Sequence, residues 1–303
     1  MNTAPSRSDG RRRGPDLLDV SLLARLERLQ VLTRKRLAGG LAGEHRSPHH
    51  GTSLDFADFR DYHPGDDIRR LNLGALARLD RLLITLFDAE DDLNLRLLID
   101  TSASMAGPKL ERAVELGAAI GFCALVRRDV VSVHSFPHTR VGPRFRGRGQ
   151  AVAFFEALAE LEAGGPTSLV AAADDILARP GPPGLTIVIS DLLTSDWERG
   201  LSRLPARRGE FGVIHMLSPA DLDPAADPDL SGDMELVDAE SGAKVEVSLS
   251  EAVLEDYRRL AQRWVDDVAD RTRAGGGTYL QVSTEDDLEH TLVGRAREAG
   301  VLR

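Results

Sequence analysis

The stretch Leu95-Arg96-Leu97-Leu98-Ile99-Asp100-Thr101-Ser102-Ala103-Ser104-Met105 is an apolar run that stops at an aspartate and continues into hydroxyl side chains. Its first half has the length and aliphatic content of a strand buried on both faces. Asp100 is therefore expected where the chain leaves a sheet, at a carboxyl-terminal strand end. In open parallel sheets those ends line the crevice where ligands bind. A second run, Leu185-Thr186-Ile187-Val188-Ile189-Ser190, finishes the same way at Asp191. Two carboxylates from distant parts of the chain are thus expected on one edge.

Working outward from Leu93, strand-like runs alternate with longer helical stretches, the pattern of an α/β fold with a doubly wound, mainly parallel sheet covered by helices on both faces. The expected strands are 94–100, 130–136, 185–190, 211–217 and 277–283, with a short edge strand at 139–145. Helices are expected at 108–127, 149–161, 168–178, 195–204, 250–273 and 285–299. A hairpin is expected where MELVD and KVEVS flank the turn residues Glu240, Ser241 and Gly242. The Asp- and Pro-rich stretch from Asp221 to Asp233 is expected as an exposed loop. Upstream, Leu18, Leu22, Leu26 and Leu29 recur at helical spacing and predict an amphipathic helix from Asp16 to about Leu37. Asp16 or Asp19 would cap it and Gly39-Gly40 would end it, and a strand follows at 82–87. The expected domains are a flexible terminus at 1–15, an N-terminal extension at 16–90, and the sheet domain at 91–303.

Lys and Arg number 38 against 48 Asp and Glu, a formal charge of −10, which argues against nucleic acid as the main partner. The cluster Arg11, Arg12, Arg13 follows a polar start and is read as a solvated terminus. No segment approaches the roughly 20 apolar residues that span a bilayer, and the start lacks the apolar core of a signal peptide. A cytoplasmic protein with no membrane span is expected. Cys123 is the only cysteine, which excludes a disulfide framework and a cysteine-based zinc site, and its helical surroundings mark it as a small core residue.

Two ionised carboxylates about 5 Å apart repel by roughly 3 kcal/mol at an effective dielectric near 20, so the edge needs a cation or a shared proton. Ser102 and Ser104, two residues apart in a loop, add neutral oxygen donors. Carboxylates, hydroxyls and water form a hard-oxygen set that suits Mg²⁺ or Mn²⁺ and offers zinc none of its preferred nitrogen or sulfur.

The run DTSAS resembles the metal-ion-dependent adhesion motif of von Willebrand factor A domains. That motif takes a threonine from a later loop and an aspartate after another strand; Thr167 in GGPTSL and Asp191 in VISDLL stand at those points in the order of elements. The resemblance implies Asp100, Ser102, Ser104, Thr167 and Asp191 as the metal set. It also implies that the hydroxyls sit closest to the ion, that the aspartates act directly or through water, and that a partner's carboxylate completes the shell. Upstream, FRDYHPGDDIRRLNLGALAR is similar to a segment of the bacterial domain-of-unknown-function family 58, which carries such an A domain. This second resemblance runs from about residue 16 to near the C-terminus and includes the hairpin VDAESGAKVEV. It implies an adaptor or assembly factor for a MoxR-type AAA+ ATPase or its client. Two departures stand out: Asn72-Leu73 replaces the family's usual Asp-Trp, and the N-terminal membrane helices of many relatives are missing.

His45, His49, His50 and His63 lie close in sequence without the helical spacing that organises a zinc site, and are read as loop residues. His134 and His215 fall inside strands and are read as satisfied interior histidines. HPGDDIRR is expected to be structural, with Pro64 and Gly65 turning the chain, Asp66 and Asp67 capping a short helix and Arg69 and Arg70 pairing locally; the alternative is a second site where these charges bind a partner. The functional expectation is a Mg²⁺-dependent protein-interaction module rather than an enzyme. A metal-assisted phosphohydrolase is the alternative; Ser102 occupies the position where such enzymes place a second carboxylate, and there is no GxxxxGK[ST] loop or GxSxG elbow. A scaffold with a vestigial site is the third reading.

Overall fold

The computed structural model describes residues 17–33, 54–63, 71–79, 81–89, 93–137, 140–179, 182–206, 209–227, 232–238 and 242–303. The chain divides into two compact units, one of residues 1–37 with 93–303 and one of residues 38–92.

In the larger unit, helix α1 (Val20–Leu26) starts at Asp19, whose carboxylate accepts the Ser21 N–H at 3.1 Å. The smaller unit pairs strand β1 (Leu54–Asp61) antiparallel with β2 (Leu83–Ala89), with a bulge between Phe56 and Asp58. Between them lies helix α2 (Leu73–Leu79), where Asn72 Oδ1 accepts the Ala75 N–H at 2.8 Å. Asn and Asp cap helices about equally well, so this half of the Asn72-Leu73 departure preserves the cap.

The larger unit continues with β3 (Asn94–Asp100), helix α3 (Pro108–Val126), β4 (Val130–Phe136), β5 (Arg140–Arg146) and helix α4 (Ala151–Ala159). Helix α5 (Leu169–Ala178), β6 (Leu185–Ser190), helix α6 (Trp197–Arg203) and β7 (Glu210–Leu217) follow. A two-stranded hairpin of β8 (Gly232–Val237) and β9 (Lys244–Leu249) precedes the long helix α7 (Glu251–Ala274) and β10 (Thr278–Ser283). Six strands form one sheet in the order β10-β7-β6-β3-β4-β5, parallel throughout except for β5 at the edge.

Alternation along the strands builds two cores. Leu95, Leu97 and Ile99 of β3 face the same way as Ile187 and Ile189 of β6, toward α1, α3, α4 and the C-terminal helical segment. Leu98 and Val188 face the other way, toward α5, α6 and α7. The sheet is thus covered on both faces, and the mixed α/β architecture matches the sequence expectation. Where α3 passes α4 the chain needs a glycine: a Cβ on Gly121 would stand 2.2 Å from Cζ of the fully buried Phe154 ring. Gly121→Ala is expected to destabilise the protein by about 1–3 kcal/mol through overpacking, read as a lower urea midpoint at unchanged slope.

Three expectations are corrected. The helix expected from Asp16 to about Leu37 spans only Val20–Leu26. Beyond it the backbone of Gln30 and Leu32 pairs with that of Val301 and Arg303 at 2.9–3.1 Å, an arrangement that suits β-branched Val31 and that no local pattern announces. The start of the extension at residue 16 is corrected for the same reason: Leu18, Leu22, Leu26, Leu29 and Val31 are buried in the core of the sheet unit, so α1 belongs to that unit, while the break expected near residue 90 falls after residue 92. The Asp-rich loop is not wholly exposed, since it opens with a helical turn, Pro219–Leu222, that holds Asp221 inward. The expected ends of other elements shift by a few residues; the last helical segment, for instance, begins at Leu288, where Asp287 accepts the His290 N–H at 2.7 Å. Gly39, Gly40, Glu240 and Ser241 lie outside the described residues.

Candidate metal centre at the sheet edge

From β3 the chain moves to β4 and β5 on one side, then returns to β6, β7 and β10 on the other. The strand order therefore reverses between β3 and β6, and the crevice at their carboxyl ends is the place where this architecture binds ligands. Ile99 pairs with Ile189, which sets Asp100 beside Ser190 and Asp191. The two aspartates expected on one edge are both on it.

Asp100 has 0% exposure. Its Oδ1 accepts the Ser102 N–H at 2.9 Å and its Oδ2 accepts the Ser190 hydroxyl at 2.5 Å. Burial pushes the Asp100 carboxyl up to about 7; the charge of Asp191 adds to the rise, and the bonds from Ser190 and Ser102 oppose it. The Ser102 and Ser104 hydroxyls are 3.0 Å apart, and Ser104 donates to Asp191 Oδ1 at 3.3 Å. Asp100, Ser102, Ser104 and Asp191 are thus joined in one chain of contacts. Thr167 arrives by backbone: Gly164 N–H donates to Thr101 O at 2.8 Å, Ala103 N–H to Gly165 O at 3.0 Å, and the Thr194 hydroxyl to Thr167 O at 3.4 Å. Its loop is tied to both the serine loop and the segment after β6.

Asp196 makes that second tie. It accepts the Ser168 hydroxyl at 2.6 Å, the Leu169 N–H at 3.0 Å and the Thr194 hydroxyl at 3.0 Å, joining the starts of α5 and α6. Burial works against its charge, yet these bonds hold its carboxyl below the usual range. Leu192 takes φ 54°, a left-handed conformation costing a non-glycine residue about 1–3 kcal/mol. The side chain is buried, its N–H donates to Ser190 Oγ at 2.9 Å, and the Leu193 N–H donates to Asp191 Oδ1 at 3.1 Å, so the surroundings impose the bend that presents Asp191.

Two further side chains, Lys109 and Asp221, escaped sequence reasoning. Lys109, only 8% exposed, places Nζ 2.8 Å from Asp191 Oδ2 and 2.9 Å from Asp221 Oδ2. Burial lowers the pKa of this amine, but the charges of Asp191 and Asp221 prevail and the net shift is upward. His215 is the satisfied interior histidine expected from the sequence, fully buried with its ring against the Asp191 carbonyl. Its Nε2 donates to Asp191 O at 3.0 Å, and Nδ1 accepts from the Tyr279 hydroxyl at 2.9 Å. The ring meets Trp264 edge-on with centroids 4.7 Å apart, and burial pulls its pKa down to about 4, so the imidazole is neutral. Beside these groups opens a cleft of about 550 Å³, with Ser104, Leu193, Trp197, Trp264 and Asp238 among its walls.

Of the remaining expectations, Cys123 is a buried core thiol whose Sγ lies 3.5 Å from Leu26 O, and burial pushes it up to about 12. His134 is buried with Nε2 3.0 Å from Ser132 Oγ. His63 contacts the carbonyl of Asp61 at 3.1 Å. His45, His49, His50, the residues 64–70 and Arg11, Arg12, Arg13 lie outside the described residues. Among the described residues no group of three or more His, Cys, Asp or Glu side chains gathers as a metal site, and no helix is long and apolar enough to cross a membrane. The edge instead mixes two carboxylates with hydroxyls, a donor set that fits a hard divalent cation.

Comparison with known proteins agrees with the sequence resemblance at family level. Uncharacterized proteins Mb1516 of Mycobacterium bovis and Rv1480 of Mycobacterium tuberculosis are each 32% identical over 284 residues, covering 90% of this chain and 88% of theirs. Uncharacterized protein MAV169 of Mycobacterium avium is 34% identical over 120 residues, covering 39% of this chain and 68% of its own. The crystal structure of conserved hypothetical protein BatB from Bacteroides thetaiotaomicron aligns with TM-score 0.40 and 15% identity over 68% of this chain and 98% of that one. Residues 58–265 match the family described as "Protein of unknown function DUF58", and the chain belongs to that family.

Proposed function

We propose that this protein is a Mg²⁺-dependent protein-interaction module of the von Willebrand factor A type. The observation that carries the reading is the convergence of Asp100, Ser102, Ser104 and Asp191 at the β3–β6 switch point, with the loop of Thr167 fastened beside them. Asp100, Ser102, Ser104, Thr167 and Asp191 would hold the ion, with Mn²⁺ as a substitute. Bound there mainly by neutral hydroxyls, it would supply an electrophilic coordination position for a partner's acidic side chain. The adjoining cleft supports this, because Leu193, Trp197 and Trp264 offer apolar surface next to Ser104 for the residues that flank such an acid. From the family resemblance, the proposed partner is a MoxR-type AAA+ ATPase or its client, and the proposed setting is the cytoplasm.

Binding is favoured over phosphoryl transfer by the state of Asp100. The side chain is fully buried and each oxygen already accepts one protein donor, which keeps it from attacking an incoming phosphorus in line, whereas it can still act on an ion through the serine it positions or through water. Titration calorimetry with Mg²⁺ is expected to show one site that is lost in the Ser102→Ala, Ser104→Ala double variant. Capture of the partner from native lysate is expected in Mg²⁺ and not in EDTA. Absence of any heat at millimolar Mg²⁺ would favour the vestigial scaffold, and capture unchanged by chelator would refute the metal-dependent reading.

A further inference from the structure

The edge already contains one cation, and it is not free to ignore. The ammonium of Lys109 sits 2.8 Å from Asp191 Oδ2, so it neutralises the carboxylate that a divalent ion would also need. The same ammonium lies 2.9 Å from Asp221 Oδ2 and 3.1 Å from Asp221 Oδ1, a second carboxylate that takes no part in the donor set. Asp221 is held firmly for this purpose: its Oδ2 accepts the Ser218 N–H at 2.7 Å, its own N–H donates to Ser218 Oγ at 3.3 Å, and its carbonyl accepts the Tyr257 hydroxyl at 3.1 Å. Lys109 enters from the first turn of α3, so a rotation of its flexible stem suffices to shift the charge from one aspartate to the other.

We infer that Lys109 is a resident competitor of the divalent ion for Asp191, and that Asp221 sets the ion affinity by drawing this ammonium away. The inference rests on the metal-site reading above and names residues outside that set. With Lys109 shared between two carboxylates, Asp191 is only partly compensated and remains available to a dication. Without the charge of Asp221, the ammonium settles on Asp191 and repels the ion at close range. Without Lys109, Asp191 and Asp221 both lie uncompensated near the site. Coulomb's law for a unit charge and a dication at a few ångströms makes each change worth about tenfold or more in affinity, even at a high effective dielectric.

The test is calorimetric titration of Mg²⁺ alone into the full chain and three variants, with thermal melts to confirm folding. Lys109→Met is expected to tighten Mg²⁺ about tenfold, and Asp221→Asn, which keeps an acceptor for the Ser218 N–H, is expected to weaken it about tenfold. The double variant is expected to behave as Lys109→Met, because Asp221 acts largely through the ammonium. Should Lys109→Met fail to fold, Lys109→Gln, which removes the charge and keeps a donor for Asp191, takes its place and decides by its direction. Mg²⁺ bound by the wild type with equal or lower affinity in Lys109→Met, or with equal or higher affinity in Asp221→Asn, overturns the inference and leaves the metal site standing. Silence of the wild type with binding in Lys109→Met supports both. No binding in any variant at millimolar Mg²⁺ overturns both.

Discussion

Asp100→Asn is expected to be more stable than the wild type at pH 8, and the difference is expected to grow steadily from pH 4 to pH 7. The wild-type carboxyl moves from an unfolded value of 3.8 to about 7 in the fold, chiefly because burial disfavours the charged form. A pKa raised by folding means that the native state binds the proton more tightly. The resulting stabilisation is complete below pH 3.8 and is lost as pH rises through about 7. Over that window the loss amounts to roughly 4 kcal/mol, and asparagine, which does not titrate, is spared it. Denaturant melts of both proteins at half-unit pH steps in EDTA check this, because the slope difference does not depend on any constant cost of the substitution. Parallel pH profiles would show that Asp100 is not buried in this way. On the proposed metal site a divalent ion would compete with the proton, so Mg²⁺ is expected to raise the melting temperature of the wild type more at pH 8 than at pH 5.5, and that of Asp100→Asn little at either.

His215→Ala is expected to cost roughly 3–5 kcal/mol, because it opens a cavity beside Trp264 and strands two polar groups at once. The fully buried Asp191 carbonyl loses the Nε2 donor and the half-buried Tyr279 hydroxyl loses its Nδ1 acceptor. The loss is read from the urea midpoint, and faster amide exchange at Leu192 and Leu193 would locate it at the edge. The pH dependence has the opposite sign to that of Asp100. The imidazole falls from 6.5 unfolded to about 4 folded, so its contribution is present above pH 6.5 and disappears as pH falls through about 4. Wild-type stability is therefore expected to be nearly flat across pH 4–7, where the two residues compensate. Asp100→Asn, retaining only the histidine, should show a clear acid loss. An acid limb of Asp100→Asn that persists unchanged when His215→Ala is added would remove the histidine from this account.

Strands β3 and β6 were legible because each is a short aliphatic run closed by an aspartate, and a strand buried on both faces leaves that local mark. The serines were legible for the same reason: Ser102 and Ser104 follow Asp100 by only two and four peptide bonds. Helix α1 shows the limit. Its leucines predicted a longer helix in a separate extension, but where it stops and which core it joins are set by pairing with Val301 and Arg303 at the far end of the chain. Lys109 read as an ordinary residue early in a helix, and Asp221 as part of a loop. No local pattern could announce a bond between groups 112 positions apart.

By itself, the sequence determined the alternation of strands and helices, the carboxylate at the end of each of two central strands, and the hydroxyl donors beside the first. These follow from short-range periodicity, which side-chain geometry imposes on any chain that buries a sheet. Only the tertiary structure decided that β6 lies against β3, which brings Asp191 to Asp100, slides His215 under one aspartate and sets Lys109 between Asp191 and Asp221. The reason is physical: charges and hydrogen bonds act over a few ångströms of space, and distance along the chain says nothing about that separation until the crossovers have closed.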